Sequence, residues 1–267
     1  DNYMLDSSYD YLKPFDEIDL IRLGKKGDGG YVISKKSLEA DNCLLTFGMS
    51  NDWSFEEDFV KHNSQNFVHI YDHTVNLNFF LYRLYKSIKR LLYFKSNFLN
   101  IYEKFNELTK YLKLNNSKIN HFKYKISNKK ELSNKSLEET IKDTGHNGKL
   151  MLKIDIEGDE FEILNDITLY SNQIHTLIVE FHELNINYNK FETLIKEINK
   201  KFYIIHIHGN NVTGVNEMGL PNTLEISFLN YNLYFKKNIK TKSKFPIKNL
   251  DFPNHKYIED IEINFTE

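Results

Sequence analysis

The sequence predicts an α/β domain built on a seven-stranded, mostly parallel sheet with an antiparallel last strand. From Asn42 onward, strand patterns alternate with helical patterns, which is typical of βαβ units. The last two strand patterns are joined by a loop without helical periodicity, so we expect these two strands to pair antiparallel. With 267 residues, of which 40% are hydrophobic, the chain can bury the core of one such domain.

Seven runs rich in aliphatic and aromatic residues predict the strands of this sheet. The fourth run is almost entirely apolar, as expected of a strand that is buried on both faces of a parallel sheet. The predicted strands are Cys43–Phe47, Phe67–Asp72, His121–Ser127, Leu150–Ile156, His175–His182, Phe202–His208 and Thr223–Asn230.

Helical patterns fill the intervals between several of these strands. The predicted helices are Trp53–His62, Ser136–Asp143, Glu160–Leu169 and Phe191–Lys201. At the start of the second helix, Ser136 stands three residues before Glu139, which is the spacing of a capping box.

The segment Leu77–Lys118 is longer than one crossover helix, and we predict a helical insertion after the second strand. It combines ten aromatic residues and nine Lys and Arg residues with only two acidic residues, Glu103 and Glu107. Apolar positions three and four residues apart indicate two amphipathic helices. A helical hairpin packed on the domain or on a second subunit is the favoured interpretation. A cap over the substrate and a membrane-surface helix are the alternatives.

We predict a single domain over residues 1–267, in which residues 1–41 contribute to the cofactor and substrate site and residues 77–118 form a cap or a homo-oligomer contact. The formal net charge is −2, which offers no electrostatic case for nucleic-acid binding. No apolar run has the length of a membrane span, and no signal-peptide pattern is present. Cys43, the single cysteine, fits a reducing compartment. We therefore expect a cytoplasmic protein without membrane contact.

The turn after the first strand is a candidate cofactor site. Its sequence, FGMSND at 47–52, places Gly48 between a strand and a helix, where backbone amides can approach a ligand closely. Asp72 ends the second strand, at the spacing where an acidic side chain commonly binds the hydroxyls of an adenosine ribose. This arrangement serves NAD and S-adenosylmethionine alike.

The glycine-rich GDGGY segment at 27–31 precedes the first strand. Its glycines permit backbone conformations that other residues avoid. One interpretation is a tight turn. The other is a loop that closes over the methionine end of the cofactor, with Asp28 and Tyr31 supplying polar groups.

Polar side chains follow three of the predicted strands in pairs. Because carboxyl ends of parallel strands meet at one edge of a sheet, we expect them to converge there. Such a cluster can bind a divalent ion, position sugar hydroxyls or remove a proton from one, and the alternative is a structural polar network. The pairs are Asp155 with Glu157, Glu180 with His182, and His206 with His208, followed by Asn210 and Asn211.

The strand end KIDIEGDEFEIL and the later IVEFH resemble the FkbM family of S-adenosylmethionine-dependent O-methyltransferases. The segments RLGKKGDGGYVI, FGMSNDWSFEEDF, YDHTV and HIHGNN are similar to a bacterial subgroup found with surface-polysaccharide enzymes. The resemblance implies a Rossmann-like class I methyltransferase fold and methyl transfer to a sugar hydroxyl. By analogy, the expected acceptor is a nucleotide-linked heptose such as GDP-heptose, in capsular polysaccharide biosynthesis.

The resemblance also assigns Gly48, Ser50 and Asp72 to the cofactor site and Asp155 to the carboxylate near the transferred methyl group. The full set expected to bind the cofactor is Asp28, Tyr31, Phe47, Gly48, Ser50, Asp72 and Asp155. The set expected to bind the sugar or nucleotide-sugar substrate is Glu157, Glu180, His206, Asn210 and Asn211.

A histidine with a pKa of about 6.5 suits proton removal at neutral pH. His182 or His208 is therefore the expected base, and Asp155 is expected to position the acceptor or to bind a divalent metal, the need for which is open. Two rival functions remain. An NAD(P)-dependent oxidoreductase would need more glycines than the turn at 47–52 offers. A non-catalytic Rossmann-type module would bind a partner or a membrane through the helical insertion.

Overall fold

The computed structural model describes residues 4–17, 19–234 and 239–266, so residues 1–3, 18, 235–238 and 267 of the predicted domain lie outside the described residues. The strands are β1 Met4–Leu5, β2 Leu20–Leu23, β3 Tyr31–Ser34, β4 Cys43–Phe47, β5 Phe67–Tyr71, β6 Ile119–Phe122, β7 Lys125–Ile126, β8 Asn134–Lys135, β9 Leu150–Ile154, β10 Ile174–Phe181, β11 Phe202–Gly209, β12 Leu224–Asn230 and β13 Asn264–Phe265. The helices are α1 Lys35–Ala40, α2 Ser54–His62, α3 Leu77–Leu92, α4 Phe98–Leu112, α5 Leu137–Asp143, α6 Glu160–Leu164, α7 Leu184–Ile198 and α8 Tyr231–Tyr234.

A central seven-stranded sheet has the order β11-β12-β10-β9-β4-β5-β6. Its strands run parallel except β12, which pairs antiparallel with both β10 and β11. The predicted fold class is thereby confirmed. From β4 the chain passes to β5 on one side of β4, and it later returns to β9 on the other side of β4. The crevice beyond the carboxyl ends of β4 and β9 is therefore a topological switch point, where such sheets bind ligands.

The core covers both faces of this sheet, which explains the nearly continuous apolar strands. In β9, Leu150, Leu152 and Ile154 belong to one buried cluster, whereas Met151 belongs to a second cluster on the opposite face. Alternate side chains point to opposite faces of a strand, so a strand covered on both sides has no solvent-facing position to fill with polar residues. The exception in β9 is Lys153.

Several predicted boundaries shift in the structure. The capping box at Ser136 and Glu139 is confirmed at the start of α5. In contrast, α7 begins at Leu184, well before the predicted Phe191, because Leu184 is buried in the core and its burial outweighs the low helix propensity of the asparagines that follow. The strand predicted at His121–Ser127 leaves the central sheet after Phe122.

An N-terminal hairpin formed by β2 and β3 packs on the β11–β12 side of the sheet. The turn between its strands holds the GDGGY segment, in which Gly27 and Gly29 have φ values of +114° and +85°. Ser227 Oγ donates a hydrogen bond of 2.6 Å to the Val32 carbonyl oxygen and so fastens the hairpin to β12. This packing carries the Tyr31 side chain to the carboxyl edge of the sheet.

The predicted insertion contains α3 and α4, joined by a short loop. The Phe80 and Tyr111 rings stack with centroids 4.5 Å apart, and Arg83 Nε lies 3.2 Å from Glu107 Oε2. Phe80 also meets Trp53 edge-on at 6.2 Å, so the helical pair is anchored to the domain at the α2 end. No helix in the described part of the chain is both long and apolar enough to cross a lipid bilayer.

A buried ion pair lies beneath the carboxyl edge of the sheet. Lys153 Nζ is 3.2 Å from Glu56 Oε1, which also accepts a 2.8 Å hydrogen bond from Thr46 Oγ1. The ammonium lies 5.1 Å from the centroid of the Tyr31 ring. Burial lowers the pKa of Lys153, but the charges of Glu56 and Asp155 raise that pKa by more, so the lysine stays protonated.

We predict that Lys153→Met lowers the free energy of unfolding by about 3–5 kcal/mol, because it leaves the Glu56 carboxylate buried without its counter-charge. Urea unfolding followed by circular dichroism measures the change. The matched control is the double variant Lys153→Met with Glu56→Leu, which removes both charges and should recover most of the loss. A single variant as stable as the unmodified chain would contradict the prediction.

Candidate active site

The ends of β4, β5 and β9 are tied together at the turn that follows β4. Gly48 has φ +80°, and a Cβ at this position would overlap the Asp155 carbonyl oxygen. The Gly48 amide donates to the Tyr71 carbonyl at 3.0 Å, and the Asp155 amide donates to the Phe47 carbonyl at 2.9 Å. A glycine is therefore required here for the close approach of two backbone segments.

Asp72 joins the loops that follow β4 and β5. Its Oδ2 accepts from the Met49 and Ser50 amides at 3.0 and 3.3 Å, and its Oδ1 accepts from the amide and hydroxyl of Thr74 at 2.8 and 2.6 Å. Burial raises the pKa of Asp72, but these hydrogen bonds lower it by more, and the net shift is downward. The carboxylate is thus ionised and occupied with backbone donors. Its expected contact with ribose hydroxyls stays a prediction.

A cavity of about 320 Å³ opens between these strand ends, and we call it the cofactor cavity. Gly48, Met49 and Ser50 line it, together with the aromatic side chains of Tyr71 and Tyr124. Its acidic lining residues are Asp72, Asp155, Glu157 and Asp159. The basic lining residue is Lys125, whose Nζ pairs with Asp159 at 2.8 Å. This excess of negative charge suits a cationic ligand and disfavours the pyrophosphate of a dinucleotide.

Two carboxylates share one phenol beside this cavity: that of Asp155, which lines the cavity and is partly exposed, and that of the buried Glu180. Tyr31 Oη lies 3.0 Å from Asp155 Oδ2 and 3.1 Å from Glu180 Oε2. Burial raises the pKa of both carboxyls, and repulsion between them raises that of Glu180 further. A phenol carries one proton and can donate to only one carboxylate at a time. The arrangement therefore holds an additional proton or a cation close to these oxygens.

His182 lies beside these carboxylates, and a third carboxylate, that of Glu160, binds the opposite side of its ring. Its Nδ1 is 2.7 Å from Oε1 of the fully buried Glu160, and its Nε2 is 3.8 Å from both Asp155 Oδ1 and Glu180 Oε1. Burial lowers the pKa of His182, but the hydrogen bond to Glu160 and the charges of Glu180 and Asp155 outweigh it and raise that pKa to about 9. Nε2 is the nitrogen that remains free to meet a ligand.

A second cavity of about 480 Å³ lies on the other side of His182, and we call it the acceptor cavity. Glu157 lines both cavities, Asp155 lines the cofactor cavity and His182 lines the acceptor cavity, so the two cavities adjoin at these side chains. The acceptor cavity is rich in neutral polar groups. Its other polar or charged lining residues are Asp28, Glu183, Asn210, Thr213, Thr223, Asn254 and His255.

The structure does not bring His206 and His208 to either cavity. His206 pairs with Asp251 at 3.1 Å, and both nitrogens of His208 are occupied, by Glu225 at 3.2 Å and Asp260 at 3.1 Å. Burial lowers the pKa of His208, but these two carboxylates raise it to about 10. The expectation that His208 acts as base and that His206 binds substrate is not supported. β12 stands between β10 and β11, which separates these histidines from Glu180 by about 10 Å of sheet.

Some of the remaining predicted residues line the cavities, and others hold neighbouring segments in place. Asn210 lines the acceptor cavity, and its Nδ2 donates to Glu180 Oε1 at 3.0 Å. Asn211 instead donates to the carbonyl oxygens of His255 and Ile258 at 3.1 and 2.8 Å, and so holds the C-terminal segment in place. Phe47 is fully buried in the core. Asp28 lines the acceptor cavity, not the cofactor cavity.

Three residues of this region could not be assigned to the site from the sequence alone: Glu160, Asn254 and His255. Glu160 was visible as one of several acids after β9, but nothing in its spacing marks it as the partner of His182. Asn254 and His255 line the acceptor cavity from a segment without strand or helix periodicity. Asn254 Nδ2 donates to Glu225 Oε1 at 2.9 Å, which fixes its position.

Asp155, Glu180 and His182 also form a donor set that fits a divalent cation. Each offers one atom, and these atoms lie within 4.8 Å of one another. Among the described residues this is the one such group of at least three His, Cys, Asp or Glu side chains. Carboxylate oxygens and an imidazole nitrogen suit several divalent metals. The same atoms can equally hold a proton, so the geometry alone does not require a metal.

Comparison with known proteins gives similar solved structures and a match to one family model. The chain is similar in fold to a protein of the fibrillarin/Nop5p complex, with 11% identity over 71% of this chain and 73% of that chain and a TM-score of 0.40. It is also similar to the Methanococcus jannaschii fibrillarin pre-rRNA processing protein, with 10% identity over 73% and 68% of the two chains and a TM-score of 0.39. No curated protein matches the sequence. Residues 96–206 match the family model of the methyltransferase FkbM domain, and this match supports a methyltransferase whose expected cofactor is S-adenosylmethionine.

Proposed function

We propose that this chain is an S-adenosylmethionine-dependent O-methyltransferase that acts on a sugar hydroxyl. The observation that carries the proposal is that two cavities adjoin where Asp155 lines one and His182 lines the other, with the carboxylate of Glu180 beside both side chains. Methyl transfer needs a donor and an acceptor held in line, together with a group that accepts the proton of the acceptor hydroxyl. A cluster of carboxylates and an imidazole between two cavities meets both requirements.

The residues of the cofactor cavity fit S-adenosylmethionine, which when bound supplies an activated methyl group on a positively charged sulfur. The carboxylates of Asp155 and Glu157 favour such a cation. The rings of Tyr71 and Tyr124 offer aromatic surface to a planar base. The same charges argue against an NAD(P)-dependent oxidoreductase, because a pyrophosphate would face four carboxylates.

His182 is the proposed base. Glu160 binds its Nδ1 and so orients the ring with Nε2 toward Asp155 and Glu180. This pairing of a carboxylate with the far nitrogen of a histidine orients the ring and raises its basicity. Asp155 and Glu180 position the acceptor hydroxyl. If a divalent cation binds, the same three side chains would hold it, and it would lower the pKa of the acceptor hydroxyl.

For the acceptor we propose a nucleotide-linked sugar in the cytoplasm, with a heptose such as GDP-heptose of capsular polysaccharide biosynthesis as the specific candidate. The class of acceptor is supported by the amide and hydroxyl groups of Asn210, Thr213, Thr223 and Asn254, which can donate to and accept from sugar hydroxyls. The specific sugar and pathway depend on the sequence resemblance alone. A non-catalytic module would have no need for a base oriented by a buried carboxylate.

We predict that the chain binds S-adenosylmethionine and S-adenosylhomocysteine but not NAD, and that Asp72→Asn weakens both affinities by about 10–100-fold. The asparagine keeps the shape of the side chain but replaces a charged acceptor of backbone hydrogen bonds. Isothermal titration calorimetry measures the affinities. The matched control is Asp166→Asn, in a loop that does not line either cavity, which should bind like the unmodified chain. Binding of NAD alone would refute the methyltransferase assignment.

We predict that His182→Ala lowers kcat on the best nucleotide-sugar acceptor by about 10²–10⁴-fold while cofactor binding persists, because the variant lacks the general base. Turnover is measured as S-adenosylhomocysteine release, and binding by calorimetry. His62→Ala, at an exposed position on α2, is the matched histidine control and should keep full turnover. Near-normal turnover of His182→Ala with bound cofactor would show that the base lies elsewhere.

We predict that kcat/KM rises with pH until about pH 9, because His182 must lose its proton before it can accept one and its pKa is raised to about 9. Glu160→Gln removes the hydrogen-bonded charge that raises this pKa, so the rising limb should move to lower pH while the maximum rate falls. Full activity in the presence of EDTA is expected. Activity that EDTA abolishes and Mg²⁺ or Mn²⁺ restores would instead assign the cluster to a metal.

A further inference from the structure

The helical insertion is strongly basic in an otherwise acidic chain. Residues 77–118 contain nine Lys and Arg against two Glu, a formal charge of +7, whereas the whole chain has a formal charge of −2. Glu107 is already paired with Arg83 and Lys104, so Glu103 is the single acidic side chain left to oppose the other lysines and arginines of this segment. The surface of α3 and α4 therefore attracts anionic partners.

Large apolar side chains lie exposed on both helices of this insertion. On α3 they recur every three or four residues, which places them in one stripe along the helix. This first stripe is Leu77, Leu81, Tyr85, Ile88 and Leu92, each between 41% and 73% exposed. A second stripe on α4 is Phe98, Tyr102, Phe105 and Leu112, each between 51% and 79% exposed.

Both stripes lie on one face of the helical pair. The two helices meet along a line marked by the Phe80–Tyr111 stack and the Arg83–Glu107 pair. At about 100° per residue, the stripe is rotated from this line by roughly a third of a turn on α3 and by roughly two fifths of a turn on α4, in the same sense on each helix. In an antiparallel pair, the same sense of rotation brings both stripes to the same side. We call this surface the hairpin face.

Basic side chains lie at the edge of the hairpin face. At about 100° per residue, the exposed Lys89 borders the stripe of α3 and the exposed Lys113 borders the stripe of α4. At the loop between the helices, Phe94 is 97% exposed and has φ +56°, a conformation that is unfavourable for a bulky residue. Apolar and aromatic side chains edged by lysines are typical of helices that lie in the interface of a membrane.

We propose that the hairpin face docks on the surface of an anionic phospholipid membrane. A second copy of this chain is disfavoured, because a symmetric contact would bring two strongly positive surfaces together. Nucleic acid is disfavoured, because exposed leucine and isoleucine side chains gain nothing from a phosphate backbone. From the sequence, a membrane-surface helix is one alternative for this segment and not the favoured one. The exposure of these stripes in the structure favours that alternative.

The test is co-sedimentation of the complete chain with vesicles of phosphatidylcholine mixed with phosphatidylglycerol, compared with vesicles of phosphatidylcholine alone. We predict binding to the anionic vesicles that weakens as salt concentration rises. Lys89→Glu with Lys113→Glu should weaken it by at least tenfold through lost charge attraction, and Phe94→Asn with Phe98→Ser should weaken it by at least tenfold through lost apolar burial. All four positions are exposed, so folding should be unaffected.

Matched controls lie outside the insertion. Lys142→Glu with Lys200→Glu makes the same charge change, and Leu132→Ser with Leu169→Ser removes two exposed apolar side chains, and both should bind vesicles like the unmodified chain. Equal binding to both kinds of vesicle, or variants of the insertion that bind as well as the controls, would overturn the proposal. The proposal would also be overturned if the chain did not bind vesicles but formed a dimer in light scattering. The same holds if it did not bind vesicles but bound an RNA oligonucleotide tightly.

Discussion

The candidate site depends on the repulsion between the partly exposed carboxylate of Asp155 and the buried carboxylate of Glu180, which face one phenol. Such a pair is costly unless positive charge or a proton lies nearby, and the structure provides for this from three directions. Tyr31 donates from the N-terminal hairpin, His182 stands beside both carboxylates, and Lys153 approaches from below through its pair with Glu56. Each of these partners comes from a different part of the chain, so the site assembles only when the whole domain folds.

Negative and positive charges concentrate in two adjoining regions of the molecule. The cofactor cavity carries four carboxylates, whereas the insertion that begins a few residues after Asp72 carries nine basic residues. Phe79 belongs to both regions, since it lies in α3 and lines the cofactor cavity. A chain of nearly neutral total charge can therefore attract a cation at one place and an anionic surface at another. Total charge, which the sequence supplies directly, conceals this division.

The sheet could be predicted because its signals are local: apolar runs, their spacing and the absence of a helix before β12. The meeting of Asp155, Glu180 and His182 could also be predicted, since β9 and β10 are neighbours whose carboxyl ends share an edge. The error at His206 and His208 has the opposite cause. Their strand ends at the same edge, but the order of strands places β12 in between, and their acidic partners come from residues 251–260, where no periodic pattern exists.

The Asp72 carboxylate has formed its hydrogen bonds before any ligand binds, and this affects the affinity of the cofactor cavity. By accepting hydrogen bonds from Met49, Ser50 and Thr74, it holds two loops in one conformation around the cofactor cavity. The loss of backbone entropy in these loops therefore occurs when the chain folds and not when a ligand binds. A ligand that enters the cavity meets a wall that is already ordered, and more of its contact energy is retained as affinity.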